Sequence, residues 1–331
     1  MEPVLRVEDL SVVFHTPSGA VHAVSHVSFH MQKGEVLGLV GESGSGKSVT
    51  GSALIRLLPP SARVTGKITL LGRDIMSMPT KSFNRIRGKD IAMIFQDPMT
   101  SLNPLYTVGN QIQETLRLHM GLHGAAARRR AIELLDMVRI PQAEVRLKQY
   151  PHEFSGGMRQ RAMIAMALAC NPSILIADEP TTALDVTIQA QILDLLRNLQ
   201  RQTQTAILLI THDLGIVADL CDRVHVMYGS QLMETASLDD LFYSTAHPYT
   251  RALLRCLPEV AVLEGRKTLR PIGGTPVDLM MLPSGCAFAA RCDSCMNLCL
   301  KRRPDLYDAG EGHLSRCWLT ALGLGEEAVG A

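Results

Sequence analysis

Short runs of apolar residues recur along the chain and alternate with stretches in which apolar residues return every three or four positions. The first pattern is typical of buried strands and the second of amphipathic helices. The predicted strands are residues 4–7, 36–40, 67–71, 91–95, 174–177, 206–210 and 224–227. The predicted helices are residues 49–58, 126–138, 158–169 and 186–199. Strands that alternate with helices favour an α/β fold with a largely parallel sheet.

Two regions depart from this alternation. Residues from about 97 to 157 show helix-like patterns without clear strand runs, which predicts a helical subdomain inserted between strands of the sheet. Proline and glycine become frequent after residue 257, which predicts a boundary there. We therefore expect a first domain of residues 1–257 and a small C-terminal extension of residues 258–331.

The overall composition narrows the class of protein. The chain has 331 residues, 46% of them hydrophobic, and a formal net charge of +1, so no basic footprint for nucleic acid is present. The longest apolar stretch, residues 162–170, is far shorter than the roughly 20 residues that span a bilayer. The first ten residues carry four charges and no apolar signal core. We expect a soluble, cytoplasmic chain that reaches a membrane only by docking onto another protein.

The most informative motif follows the predicted strand at residues 36–40. It reads G-x-x-x-x-G-K-S, the phosphate-binding loop of nucleotide hydrolases. The loop and the residue after it are Gly41, Glu42, Ser43, Gly44, Ser45, Gly46, Lys47, Ser48 and Val49. Backbone N–H groups and the helix dipole favour an anion there, Lys47 can bridge the β- and γ-phosphates, and Ser48 can ligate Mg²⁺. A chance glycine-rich turn is the alternative, but all the fixed positions are filled in the correct context.

A second chemical motif lies where the apolar run at residues 174–177 ends in Asp178 and Glu179. Beside a phosphate loop, Asp178 can point at Mg²⁺ and Glu179 can polarise the attacking water. Acidic pairs at strand ends are common on solvated surfaces. The presence of Lys47 and Ser48 in the same chain favours the functional interpretation.

A third motif, Ser155 followed by Gly156 and Gly157, precedes a strongly apolar helix. Ser155 suits an N-cap, and the glycine N–H groups would lie at a helix N-terminus. An ordinary capped helix would show the same pattern. The order of motifs argues for more, because the phosphate loop is followed in turn by Gln96, Ser-Gly-Gly, Asp-Glu, residues 183–185 and His212.

That ordered series resembles the ATP-binding subunit of an ABC transporter over most of residues 1–250. The resemblance implies a P-loop ATPase domain with a mostly parallel sheet, flanking helices and a small antiparallel β part, using ATP and Mg²⁺. It also implies roles for individual residues: Gln96 is the Q-loop glutamine near Mg²⁺, residues 155–158 belong to the signature, residues 183–185 form the D-loop, and His212 is the switch histidine. Met158 stands where Gln is usual and Phe154 where Leu is common. We expect these departures to have only quantitative effects.

Further motifs resemble the dipeptide/oligopeptide importer branch: residues 95–104, 247–250, 285–288 and 291–292. The resemblance implies a paralogous ATPase subunit as heterodimer partner, two transmembrane permease subunits, and a periplasmic or extracellular substrate-binding protein. It places the chain peripherally at the cytoplasmic face of the cell inner membrane. In the implied dimer each site is composite, so residues 155–157 complete the nucleotide site held mainly by the partner chain. Nickel, glutathione and modified peptides remain alternative cargoes.

Two other functional classes are weighed against an importer. A soluble ABC ATPase of translation or DNA repair typically has tandem ATPase domains or a long coiled-coil insertion, and the sequence shows neither. A non-hydrolysing binding module is disfavoured because Glu179 and His212 are intact. For the adenine ring we predict stacking on Phe14. A core role for Phe14 stays open, since Val21 and His22 lie where some relatives carry the aromatic residue.

Five of the eight cysteines crowd into the C-terminal extension: Cys286, Cys292, Cys295, Cys299 and Cys317. In a cytosolic chain such a cluster indicates metal more often than disulfides, and four thiolates can hold Zn²⁺ or a 4Fe–4S cluster. The resemblance implies an iron–sulfur cluster on Cys286, Cys292, Cys299 and Cys317. Cys295 leaves the choice of four open, and Zn²⁺ or unligated thiols are the alternatives. Since no predicted nucleotide-binding residue lies in this extension, we expect the ATP site to remain formed when Cys286 or Cys317 is replaced and the residues beyond about Pro271 loosen.

Overall fold

The computed structural model describes residues 2–97, 101–182, 184–263, 265, 268 and 270–324. The strands are β1 Leu5–Thr16, β2 Gly19–Met31, β3 Val36–Val40, β4 Ala62–Leu70, β5 Arg73–Asp74, β6 Ile91–Ile94, β7 Ile174–Asp178, β8 Ala206–Thr211, β9 Arg223–Tyr228, β10 Gln231–Ser237, β11 Tyr307–Gly310 and β12 His313–Ser315.

The helices are α1 Lys47–Leu54, α2 Thr80–Phe83, α3 Val108–Met120, α4 Gly124–Met137, α5 Ala143–Arg146, α6 Gly156–Leu168, α7 Val186–Thr203, α8 Leu214–Leu220, α9 Leu238–Tyr243, α10 Pro248–Arg255, α11 Pro258–Leu263, α12 Asn297–Lys301 and α13 Trp318–Leu322, with 3₁₀ turns at Pro151–Glu153 and Ala289–Arg291. Within the described part of the chain, no helix has the length and hydropathy required to cross a bilayer.

The chain divides into two compact units. The first comprises Met1–Arg6, His30–Val36 and Thr69–Leu209, and the second comprises Val7–Phe29, Leu37–Ile68 and Ile210–Ala331. Each unit is assembled from segments that are distant in sequence. The predicted boundary at residue 257 divides the chain differently, and it stays a prediction.

In the first unit, strands β8, β7 and β6 lie side by side in that order. β6 and β7 are parallel, with Ile91 opposite Ile174. Every residue of these two strands is buried, as expected for a parallel sheet covered on both faces. The described residues between 101 and 157 contain helices and the turn at Pro151–Glu153 but no strand. Helix α6 packs against β6.

In the second unit, the strand order is β11, β12, β10, β9, β3. β3 and β9 are parallel, whereas β9–β10, β10–β12 and β11–β12 are antiparallel. Strands β2, β1 and β4 are neighbours in a separate sheet. The chain therefore combines the parallel pairs that the pattern predicts with an antiparallel part.

The main differences from the predicted elements have local causes. β2 was missed, although Val27, Phe29 and Met31 are buried and the residues between them are exposed, which is the period-two signal of a strand. β10 was also missed. Helix α1 ends at Leu54 rather than near residue 58, because Arg56 adopts a left-handed φ of 51° and the Leu57 N–H donates back to the Ser52 carbonyl oxygen at 2.9 Å, which closes the helix.

Candidate functional site

The phosphate loop emerges from β3, whose five residues are all buried. Gly41, Gly44 and Gly46 have φ angles of 148°, 76° and 105°, a region that favours glycine. A Cβ atom at Gly41 would overlap the carbonyl oxygen of Met227, and one at Gly46 would overlap the carbonyl oxygen of Ala23. The first and last glycines are therefore required both for the turn and for the close approach of neighbouring backbone.

The side chains of the loop suit an anion. The Lys47 ammonium is buried and donates to the carbonyl oxygens of Gly41 at 2.7 Å and Glu42 at 2.9 Å. The Ser45 hydroxyl is buried and finds no hydrogen-bond partner within the described residues. No side chain caps helix α1, so its N-terminal turn is directed to whatever the loop binds. The exposed Ser48 offers an oxygen of the kind that Mg²⁺ prefers.

Glu42 of the loop is held by hydrogen bonds to residues outside the motif. The Glu42 N–H donates to the Tyr249 phenolic oxygen at 2.9 Å, and the Arg291 guanidinium donates to the two carboxylate oxygens at 2.6 and 2.9 Å. Arg291 also lies 5.6 Å from the centre of the Tyr228 ring. The hydrogen bond with Glu42 raises the pKa of Arg291, and burial raises the pKa of Tyr249.

These partners of Glu42 were not predicted as site residues. Tyr249 and Arg291 both lie in motifs that supported the family resemblance without an assigned role. The sequence feature that could have indicated a role for Arg291 is a single arginine after the apolar residues that begin with Phe288. That the ATP site stays formed when the extension loosens remains a prediction, and Arg291 of the extension contacts the phosphate loop directly.

The two predicted carboxylates lie in the first unit. Asp178 ends the buried strand β7 and is itself buried. Glu179 follows with a φ of 46°, a left-handed conformation that is rare for a non-glycine residue and is concentrated at functional sites. One Glu179 carboxylate oxygen accepts from the Gln96 amide at 2.9 Å and from the Thr182 hydroxyl at 2.8 Å. The structure thus brings together Gln96 and Glu179, and it adds Thr182, which was not predicted.

The predicted signature lies at the start of α6. Ser155 is the N-cap, and its hydroxyl accepts from the Met158 N–H at 3.3 Å. Ser155 and Gly156 are exposed, and a Cβ atom at Gly156 would meet nothing within 4 Å. A Cβ atom at Gly157 would approach the Ile188 side chain to 3.1 Å. The N-terminal turn of α6 is therefore well formed and open to solvent on one side.

Two aspartates in the remaining predicted motifs cap helices. Asp185 caps α7 by accepting from the Ile188 N–H at 2.9 Å. In the second unit, the exposed His212 directly follows Thr211, and Asp213 caps α8 by accepting from the Gly215 N–H at 2.8 Å. Ala183 of the predicted D-loop and residues 98–100 of the branch motif lie outside the described residues.

Phe14 is half-buried on β1, and Val21 and His22 lie on β2. The His22 N–H donates to the Leu279 carbonyl oxygen at 3.0 Å. These contacts do not test adenine stacking, so the role of Phe14 stays a prediction.

Four cysteines of the extension line one small cavity in the second unit: Cys286, Cys292, Cys299 and Cys317. Burial raises the pKa of the Cys286 and Cys292 thiols to about 12. Cys295 does not line this cavity, and its thiol donates to the Met296 carbonyl oxygen at 3.7 Å. Among the described residues, no three His, Cys, Asp or Glu side chains are arranged to hold a metal ion. The grouping of the four thiols agrees with the prediction, but a metal centre is not shown.

Comparisons with known protein families match two regions of this chain. The ABC transporter family matches residues 24–182, and the oligopeptide/dipeptide transporter C-terminal region matches residues 233–299. The chain is 51% identical to the oligopeptide transport ATP-binding protein OppD of Bacillus subtilis over 95% of this chain and 88% of that protein. It is 52% identical to the dipeptide transport ATP-binding protein DppD of Bacillus subtilis over 96% of this chain and 95% of that protein.

The fold also resembles a solved structure, a dimeric ATP-binding cassette in a post-hydrolysis state bound to ADP and Pi. The TM-score is 0.64 at 26% sequence identity, and the match covers 71% of this chain and 98% of that chain.

Proposed function

The chain belongs to the ABC transporter family, in the branch of the oligopeptide and dipeptide transport ATP-binding proteins, and we propose from this premise that it is the ATP-hydrolysing subunit of an importer of di- or oligopeptides. The hydrogen bond between Gln96 and Glu179 carries the proposal. It joins two residues 83 positions apart that were assigned to hydrolysis separately, one from a strand-end motif and one from the family resemblance.

The phosphate loop binds the nucleotide in this proposal. Lys47 has its ammonium buried against the loop, where it meets the β- and γ-phosphates, and the N-terminal turn of α1 adds N–H donors. Ser48, Asp178 and Gln96 are the residues that would hold Mg²⁺. The metal, when bound, supplies positive charge to the phosphate oxygens. Phe14 remains our candidate for stacking on the adenine.

Glu179 is the proposed general base or water-positioning residue. Its carboxylate is oriented by the Gln96 amide and the Thr182 hydroxyl, so it can accept a hydrogen bond from the attacking water without first reorganising. His212 acts with it on the transferred phosphoryl group. Mg²⁺-dependent ATP hydrolysis by the purified full-length chain tests this activity, and a chain that binds MgATP without hydrolysing it would be a binding module.

We propose that Ser155, Gly156 and Gly157 complete the nucleotide site of a partner ATPase chain. The exposure of Ser155 and Gly156 supports this role, as does the dimeric state of the similar cassette structure. A Ser155→Arg chain paired with a normal paralogous partner should still bind ATP at its own Lys47. Hydrolysis should fail at the site that Ser155 completes, whereas equal loss of ATP binding at both sites would contradict the composite arrangement.

The remaining partners are two permease subunits and a periplasmic or extracellular substrate-binding protein, with the chain bound peripherally at the cytoplasmic face of the cell inner membrane. The names of the similar proteins support di- and oligopeptides as cargo. Reconstitution with the permeases and binding protein in vesicles, followed by uptake of a labelled dipeptide and a labelled pentapeptide, tests this choice. Uptake of nickel or glutathione instead would place the complex in another part of the branch.

For the extension, proposed as residues 258–331, we propose a 4Fe–4S cluster on Cys286, Cys292, Cys299 and Cys317. The common cavity of these residues supports it. Metal analysis of anaerobically purified protein tests the assignment. Four iron atoms per chain are expected. One zinc atom per chain would instead support a zinc site, and absence of both metals would leave free thiols. Retention of iron by a Cys286→Ser variant but not by Cys295→Ser would change the ligand set.

A further inference from the structure

The Arg291 side chain is almost fully buried and is hydrogen-bonded within the second unit. Only 4% of it is exposed, and it donates to both carboxylate oxygens of Glu42. It also donates to the carbonyl oxygens of Gly273 at 2.8 Å and Ile272 at 3.2 Å, and to the Tyr228 phenolic oxygen at 3.3 Å. A bidentate guanidinium–carboxylate pair of this kind fixes both position and orientation.

Glu42 passes this restraint to the phosphate loop. Its backbone N–H is bonded to Tyr249, and its carbonyl oxygen accepts from the Lys47 ammonium at 2.9 Å. The same residue therefore links Arg291 of the extension to the lysine that meets the phosphates. Glu42 stands between Gly41 and Gly44, whose positive φ angles need surrounding contacts to persist.

The surroundings of the pair belong largely to the extension. Phe288 packs against Tyr228 and Tyr249, with ring centres 5.3 and 5.1 Å away. The Val277 N–H donates to the Tyr228 phenolic oxygen at 3.3 Å. Together with Pro276, Val277 lines a cavity beside the loop residues Ser43–Ser45. The loop is thus bordered by a described part of the extension, residues 272–291.

The pair of Arg291 and Glu42 also changes the charge of the phosphate loop. Glu42 puts a carboxylate into a loop that binds phosphate anions, and like charges at close range disfavour binding. Arg291 neutralises that carboxylate and keeps it turned toward the extension.

We propose that Arg291 is a positioning residue for ATP binding, which acts through Glu42 to shape the phosphate loop and to cancel the carboxylate charge beside the phosphates. The inference rests on the proposed ATPase function and deepens it. The cysteine-rich extension then contributes to nucleotide affinity, a role separate from any metal it holds.

The experiment is a set of single and double variants of the full-length chain, with MgATP affinity measured by calorimetry and hydrolysis measured against ATP concentration. Arg291→Ala should weaken MgATP binding by about 10-fold, an ordinary size for coupling between two sites. KM should rise accordingly, while kcat at saturating ATP should change little, because Glu179 is not touched. Arg303→Ala, which alters an exposed arginine of the same extension, is the matched control and should behave as the wild type.

The decisive variant is the double substitution Arg291→Ala with Glu42→Gln. Removing the unpaired carboxylate should restore the part of the affinity that its charge had cost, which a merely structural role for Arg291 would not predict. Should Arg291→Ala fail to fold, Arg291→Gln carries the same expectation and the same rescue. Wild-type affinity in the single variant, or no recovery in the double, overturns the inference. A wild-type chain that neither binds nor hydrolyses MgATP would instead overturn the proposed function itself.

Discussion

The phosphate loop and the strand end at Asp178–Glu179 are supported in different ways. Glu42 of the loop is held by Tyr249 and Arg291, which lie 207 and 249 residues further along the chain. Glu179 is held by Thr182, three residues away, and by Gln96, 83 residues away. Each region carries a recognisable local motif. The Glu179 carboxylate has a partner three residues away, whereas the partners of the Glu42 carboxylate and N–H lie more than 200 residues away.

This difference predicts that the two regions respond differently to substitution. In the proposed function, contacts at the strand end orient the carboxylate that acts on the attacking water, so their loss should lower turnover. Contacts at the loop shape the backbone and charges that meet the phosphates, so their loss should lower affinity for ATP. The Arg291 variants test the second half of this statement, and the following predictions test the rest.

The largest effect is expected at the strand end. Glu179→Gln keeps the shape of the side chain but removes the base, so turnover should fall about 10²- to 10⁴-fold while MgATP still binds. Single-turnover hydrolysis and calorimetry measure the two quantities separately. Glu133→Gln changes an exposed carboxylate of α4 and serves as the control. Near-normal turnover by the Glu179 variant would remove it from the mechanism.

The next effect belongs to the phosphate loop. Lys47→Ala removes a buried ammonium and should weaken MgATP binding by about 30- to 100-fold, the size of a hydrogen bond to a charged group. Equilibrium binding of MgATP measures this change, with the exposed Lys81→Ala as control. Unchanged affinity combined with slow hydrolysis would mean that the lysine serves the transition state only, and the contrast between the two regions would be lost.

A smaller effect is expected at Thr182. Thr182→Val removes the hydroxyl that donates to the Glu179 carboxylate and keeps the size of the side chain. Turnover should fall about 5- to 10-fold at unchanged ATP affinity. Thr182→Ser retains the hydroxyl and should recover most of the rate. A change in KM without a change in kcat would show that Thr182 acts on binding.

The smallest effect concerns the attachment of the extension within the second unit. The buried Glu234 accepts from His313 at 2.7 Å, and this hydrogen bond raises the pKa of His313 above its usual 6.5. A raised folded-state pKa contributes stability that is complete below about pH 6.5 and is lost as the pH rises through the folded value. The size should be roughly 1 kcal/mol.

Thermal unfolding midpoints between pH 6 and pH 8 measure this contribution. The wild type should lose stability relative to His313→Gln as the pH rises, because the amide does not titrate. His247 lies nearby, and burial lowers its pKa to about 4, so it costs stability as the pH falls through 6.5, but this effect is common to both proteins and cancels in the comparison. Parallel curves for the two proteins would show that His313 keeps one protonation state throughout.

Much of the fold and of the candidate site followed from local patterns. β3 begins and ends where the apolar run predicts, and Ser155 caps α6 as predicted. Gln96 was assigned from the family resemblance, and its hydrogen bond to Glu179 was not predicted. β2 was missed because its alternation was not recognised. The part that could not be predicted is the link between the extension and the phosphate loop, since no pattern near Glu42 indicates that Arg291 is its partner.

The sequence by itself determined the phosphate loop, the strand-end carboxylates, the Ser155 helix cap and the family. These depend on steric and hydrogen-bond preferences of residues close together in the chain, such as the positive φ that Gly46 must adopt before α1. The tertiary structure alone decided that the extension borders the loop and that Arg291 pairs with Glu42. That pair requires two segments 249 residues apart to come together, and the burial of many intervening residues, not any local preference, brings them into contact.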